Sequence, residues 1–106
     1  MSDVVSEVFS ALGDPTRRWV YEMLVSGGGS SATELARSAD VSRQAIAKHL
    51  SVLESVNLVE AGRDGREVRY HPTADGTAPA VEWLERRAQQ WVRRLADLGA
   101  RVDLNR

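Results

Sequence analysis

Arg43, Gln44 and Lys48 are the residues whose types and spacing point most directly to a chemistry, and that chemistry is recognition. Arginine pairs with guanine edges and glutamine with adenine, while lysine neutralises phosphate. All three lie in Val41-Ser42-Arg43-Gln44-Ala45-Ile46-Ala47-Lys48-His49-Leu50. There Ile46, Leu50 and Leu53 recur at i, i+4 and i+7, one apolar face of a helix. Arg43, Gln44, Ala47, Lys48 and Ser51 fall on the opposite face, which is small or hydrogen-bonding, with one cation at its start and another a turn later. Such a face suits a DNA groove. It also fits an ordinary amphipathic helix with a solvated polar side, and the helix alone does not separate the two. The flanking elements decide.

Catalytic chemistry finds no support in the residue types. The chain has no cysteine, which excludes disulfides, thiolate metal sites and a cysteine nucleophile. No nucleophile–base spacing and no paired carboxylates with metal-ligand spacing occur. Gly27-Gly28-Gly29 lacks the preceding strand and the Lys-Ser/Thr that a phosphate-binding loop needs, and reads as a linker. No enzyme, no metal and no cofactor is expected. With 106 residues and a net charge of −1, the chain fits one domain spanning 1–106. Any nucleic-acid footprint on it must be local, and its affinity should depend strongly on salt. The N-terminus Met1-Ser2-Asp3-Val4-Val5-Ser6-Glu7 lacks the basic start and apolar run of a signal peptide, and no apolar run approaches the ~20 residues that span a bilayer. A cytoplasmic protein without membrane contact is expected.

The elements that must position the polar face follow in order. Val5, Val8, Phe9 and Leu12 have helix spacing and stop at Gly13. Asp14 then caps a second helix with Pro15 at its first position, and Trp19, Val20, Met23 and Leu24 form its buried face. Gly27-Gly28-Gly29 ends it. Ser31 and Glu34 fit a capping box, in which each satisfies the other's backbone donor, and Leu35, Ala36 and Ala39 continue a helix of about two turns. The turn Asp40-Val41-Ser42 follows, with Ser42 as N-cap of the polar-faced helix. Helix, tight turn and helix over about 31–56 make a helix-turn-helix.

Beyond it the period changes. Leu58-Val59-Glu60-Ala61-Gly62 and Glu67-Val68-Arg69-Tyr70-His71 read as two strands around Arg63-Asp64-Gly65-Arg66, with Asp-Gly as a strong hairpin signal. This hairpin, about 58–71, carries Arg63 and Arg66 at its tip and Arg69 further along. Alone it could be a solvated hairpin; directly after a helix-turn-helix it reads as a wing whose arginines touch the DNA backbone or minor groove. After the linker Pro72-Thr73-Ala74-Asp75-Gly76 and a cap at Thr77, a last helix runs over about 77–102. On it Val81, Leu84, Ala88, Trp91, Leu95, Leu98 and Val102 form a heptad seam, and the natural partner is the same helix of a second chain. Trp83 lies off this seam and should pack on the first or second helix. Glu82, Glu85, Arg86, Arg87, Arg93 and Arg94 read as solvated or ion-paired charges.

Taken together these residues resemble the ArsR/SmtB family of winged helix-turn-helix repressors over nearly the whole chain. The resemblance is carried by Leu12-Gly13-Asp14-Pro15-Thr16-Arg17-Arg18, by Glu34-Leu35-Ala36, by the run from Val41 through Leu53, and by Leu58-Val59 leading into Arg63-Asp64-Gly65-Arg66. It implies a mostly α fold with a small β-hairpin wing. It further implies a homodimer joined through its first and last helices, by Val5, Val8, Phe9, Leu84, Ala88, Trp91, Leu95 and Leu98. The implied partner is a double-stranded DNA operator of inverted repeats, and the usual outcome is repression. The DNA-binding set is Ser42, Arg43, Gln44, Ala47, Lys48, His49, Arg63, Arg66 and Arg69. Two departures matter. Metal-sensing members carry paired cysteines in the third helix or a His/Asp/Glu cluster in the last; here the third helix reads Ala36-Arg37-Ser38-Ala39-Asp40 and the last has no histidine, which resembles the metal-independent branch. Ala47 replaces a serine found in many members, leaving Arg43, Gln44 and Lys48 as the main readers. His49 matches the family's His-Leu pair, and His71, before Pro72, reads as structural.

Two other readings stay open at this point. One is a winged-helix protein-interaction module that does not bind DNA, supported by the near-neutral charge. The other is a repressor released by an organic ligand at the dimer interface, where Trp83 and Trp91 could line a pocket. The sequence names no effector.

Overall fold

A computed structural model of the chain describes residues 3–99. In chain order the elements are α1 (Val4–Leu12), α2 (Pro15–Gly27), β1 (Ser30–Ser31), α3 (Ala32–Arg37), α4 (Arg43–Ser55), β2 (Val59–Asp64), β3 (Glu67–Pro72) and α5 (Ala78–Asp97). Four helices begin where a short polar side chain can take up an orphan backbone donor. Asp3 accepts from the Ser6 N–H at 2.7 Å and Asp14 from Arg17 at 3.0 Å. Ser31 accepts from Glu34 at 3.2 Å and Ser42 from Ala45 at 3.1 Å. The fifth differs from expectation. Thr77 already has helical backbone angles (φ −85°, ψ −14°) and makes no capping bond. The chain is held just before it, where Thr73 Oγ1 donates to the Asn57 carbonyl at 2.7 Å and accepts from the Gly76 N–H at 3.1 Å.

The core is one cluster drawn from every helix. Val8 and Ala11 of α1, Val20 and Leu24 of α2, Leu35 of α3, and Ile46, Leu50 and Leu53 of α4 meet Leu58, Val59 and Ala80. Ile46, Leu50 and Leu53 are fully buried, so the apolar stripe read from the spacing is the one that packs. Met23 departs from expectation: it is exposed, and Val20 and Leu24 carry the buried face of α2.

The sheet has three strands in the order β1-β3-β2, all antiparallel. The hairpin pairs from Val59↔Pro72 to Asp64↔Glu67, and β1 adds Ser30↔Tyr70 and Ser31↔Arg69 on the other edge of β3. Pairing continues to Asp64, so Arg63 sits in a strand and the loop is only Gly65-Arg66. Gly65 takes φ 65° at the first loop position, where a tight hairpin turn favours glycine.

The last helix stands apart. The radius of gyration is 17.7 Å, against about 13 Å for a compact chain of this length. Near its start α5 docks on α1 through Trp83, whose ring meets Phe9 edge-on at 5.9 Å and 79°. The Arg87 guanidinium lies 4.9 Å over the same Trp83 ring. The packing of Trp83 on the first helix was anticipated. Val81, Leu84, Trp91, Val92 and Leu98 remain exposed, as do Val4 and Phe9 of α1. Two residues assigned above to the partner-facing surface are instead covered within the single chain: Val8 belongs to the core, and Leu95 is buried. The helix ends at Asp97, earlier than the spacing predicted, and Val102 lies outside the described residues.

Candidate nucleic-acid interface

Helix α4 presents its polar side because Ile46, Leu50 and Leu53 fix its rotation against the core. Arg43, Gln44 and Lys48 are exposed, and Ala47 is half-buried at the edge of the wing. Ser42 serves the helix itself through its bond to Ala45. The N-terminus of α4, the positive end of its dipole, therefore sits beside Arg43 and Gln44, an arrangement that favours an anion.

Between α4, the start of α3 and β3 lies a cleft of about 250 Å³, lined among others by Thr33, Arg43, Ala47, Arg66, Val68 and Tyr70. It brings Arg66 of the wing loop to the same opening as Arg43. Among the described residues, Lys48, Arg63 and Arg66 are exposed and take part in no ion pair. Positive charge on this face is thus local, in a chain whose net charge is −1.

Two members of the sequence-derived set sit elsewhere. His49 is half-buried on the side of α4 that faces α2. The nearby Asp14 carboxyl is held below the usual aspartate range, first by the Arg17 backbone N–H. Arg69 points into the protein's own bonds. Its Nη1 donates to Glu34 Oε1 at 2.8 Å, its Nη2 reaches the Gly29 carbonyl at 3.5 Å, and the Glu67 carboxylate lies 3.9 Å away. Glu34 departs from expectation for the same reason. Its backbone N–H donates to the capping Ser31 Oγ, while its carboxylate accepts from Arg69 and Ser30 rather than from the Ser31 N–H.

Sequence reasoning also missed Thr33, whose Oγ1 accepts from Arg43 Nε at 3.1 Å. Neither pairing has a local signal, because contacts across ten or more residues leave no trace in helix or strand periodicity. His71 is structural, as its place before Pro72 suggested: its Nδ1 lies 3.3 Å from the Gly28 carbonyl. Among the described residues no cluster of three or more His, Asp or Glu side chains could hold a metal ion, and no helix is long and apolar enough to cross a membrane.

Known proteins share both the pattern and the fold. The family described as "Helix-turn-helix domain" matches residues 12–61. The transcriptional repressor SdpR of Bacillus subtilis is 28% identical over 80 residues, which cover 76% of this chain and 88% of that protein. The HTH-type transcriptional regulator Rv2034 of Mycobacterium tuberculosis is 35% identical over 95 residues, covering 90% and 85%. Among solved structures, an ArsR-like transcriptional regulator from Rhodococcus sp. RHA1 superposes with a TM-score of 0.77 at 41% identity, covering 90% of this chain and 89% of that one. These relatives are regulators rather than enzymes. With α3 and α4 as the helix-turn-helix and β2–β3 as the wing, the chain belongs to the ArsR family of winged helix-turn-helix, DNA-binding transcriptional regulators.

Proposed function

We propose that this chain, as a single domain, forms a homodimeric repressor that binds an inverted-repeat operator without a metal sensor. The observation that carries the reading is the placement of Arg43 and Gln44. Both are exposed in the first turn of α4, which Ile46, Leu50 and Leu53 anchor in the core. In this reading Arg43 and Gln44 meet base edges in the major groove. Lys48, Arg63 and Arg66 hold phosphates, and the α4 N-terminus faces another. His49 and Arg69 act from behind, through α2 and the wing base. The dimer is supported by the exposed apolar stripe of α5 and α1, in which Leu84, Trp91 and Leu98 are more than half exposed in the single chain. A monomer has little reason to leave that stripe in water. Val5, Phe9 and Ala88 complete it. A cytoplasmic location follows from the work on DNA.

Two recognition helices related by a two-fold axis require half-sites about 10 bp apart centre to centre, or a multiple of that. Fluorescence anisotropy with the DNA upstream of the chain's own coding region, across a salt series and against a scrambled competitor, tests the reading. Saturation at one dimer per duplex with a steep fall in salt is the expected result. Binding no tighter than to scrambled DNA would place the operator elsewhere or demand a ligand. A complete failure to bind any duplex at low salt would leave an interaction module as the function.

A further inference from the structure

The wing is a long two-stranded arm, rooted in the core by Leu58 and Val59 and, on β3, by Tyr70 packed against that core. Residues 60–68 are all exposed, and a lone two-stranded hairpin is at best marginally stable in water. A small polar junction on the other side of β3 adds to this anchor and fixes the wing's orientation relative to α3. Strand β1 contributes only two residues, Ser30 and Ser31, both buried, paired to Tyr70 and Arg69. Across this short ladder Arg69 donates to Glu34 Oε1 at 2.8 Å, while Ser30 Oγ donates to Glu34 Oε2 at 3.0 Å. Both carboxylate oxygens are therefore used, one by the wing and one by the strand that leads into α3. Arg69 also reaches the Gly29 carbonyl at 3.5 Å and lies 3.9 Å from Glu67. The two side chains keep only 25% and 41% of their surface. Arg66 at the loop stands three residues further along the strand, about 10 Å away. A small rotation at the base moves the tip appreciably.

We propose that Glu34 and Arg69 are positioning residues for DNA recognition: their ion pair locks the wing to the first turn of α3, so that the tip arginines meet the DNA backbone in register with α4. The assignment rests on the reading that the wing touches DNA. It gives Glu34 a role opposite in sign to its charge. Near a polyanion, removal of a carboxylate should by simple electrostatics strengthen binding. Here removal weakens it.

The test uses the full chain and a duplex selected by the wild-type protein from a randomised pool. Glu34→Gln keeps the shape and removes the charge; Glu34→Asp keeps the charge and shortens the reach. Each, and Arg69→Gln, is expected to weaken binding about two- to fivefold, the range of a partly exposed ion pair. The double variant Glu34→Gln/Arg69→Gln should be no weaker than the worse single variant, because both act through one contact. Hydroxyl-radical protection of the backbone beneath the wing should fade, with base preferences under α4 unchanged. Tighter or wild-type binding by Glu34→Gln, additive losses in the double variant, or unaltered wing protection would overturn the proposal. The double variant Arg63→Ala/Arg66→Ala separates the two levels. If it binds as wild type, the wing reading fails and takes the proposal with it. If it weakens binding while Glu34→Gln and Glu34→Asp do not, the positioning role alone is wrong.

Discussion

Arg43 Nε donates to Thr33 Oγ1 at 3.1 Å, across the turn that joins α3 to α4. The residue proposed to read a base is thus tethered by a hydroxyl from the neighbouring helix. A free arginine carries considerable rotamer entropy, and tethering one nitrogen restricts the planar guanidinium in advance of any contact it makes.

Replacing Thr33 with Val removes that hydroxyl at nearly constant shape. Loss of one hydrogen bond is expected to cost about 1 kcal/mol, read as weaker discrimination at a single base pair. Arg43→Ala should cost about 1–3 kcal/mol at the same position. Anisotropy on duplexes with one altered base pair at a time checks both. If Thr33→Val discriminates as wild type while Arg43→Ala does not, the tether has no part in recognition.

Leu84 and Trp91 are 51% and 56% exposed on α5. Lysine at either site puts a charge into the surface proposed to join two chains. Burial of such a side chain contributes about 1.5–3 kcal/mol, so the dimer should weaken roughly ten- to a hundredfold. Sedimentation equilibrium would show it, and DNA affinity should fall in parallel. A wild-type protein that stays monomeric at every concentration would refute the assembly.

The Glu34 carboxyl is held below its usual value of 4.5, first by the Arg69 hydrogen bond and then by that of Ser30. A depressed native pKa means that the unfolded chain takes up the proton first as pH falls. The contribution to stability is therefore fully present above 4.5 and disappears as pH drops through the lowered value. The difference in melting temperature between wild type and Glu34→Gln should be constant near neutrality and shrink in that acid range. A difference that does not change with pH would mean that the ion pair does not stabilise the fold.

Gly29 has φ +119°, and a Cβ there would collide with the His71 ring. Gly29→Ala should destabilise the domain by about 1–3 kcal/mol in chemical denaturation. Gly62, on the exposed β2 strand, has nothing near its missing Cβ and no positive φ. Alanine there should change stability by less than about 0.5 kcal/mol. Equal effects at the two sites would contradict the close packing of His71 on Gly29.

Much of this molecule was legible along the chain. Asp14, Ser31 and Ser42 announce their helices because capping is a contact over three residues, and Ile46, Leu50 and Leu53 announce the buried side of α4 because a helix repeats every 3.6 residues. Gly65 marks the hairpin for an equally local reason, a positive φ. The family resemblance was carried by such short-range motifs. Tertiary structure decided the rest. Strand β1 is two serines with no alternation of their own, and it exists because β3 offers an unpaired edge. Val8 went to the core and Phe9 to Trp83, a division that helix spacing cannot make between neighbours on one apolar face. Arg69 was indistinguishable from Arg63 and Arg66 as a wing cation until the fold set Glu34 beside it. Periodicity records which side of an element a residue occupies; what waits on that side depends on contacts tens of residues apart, and only the folded chain brings those together.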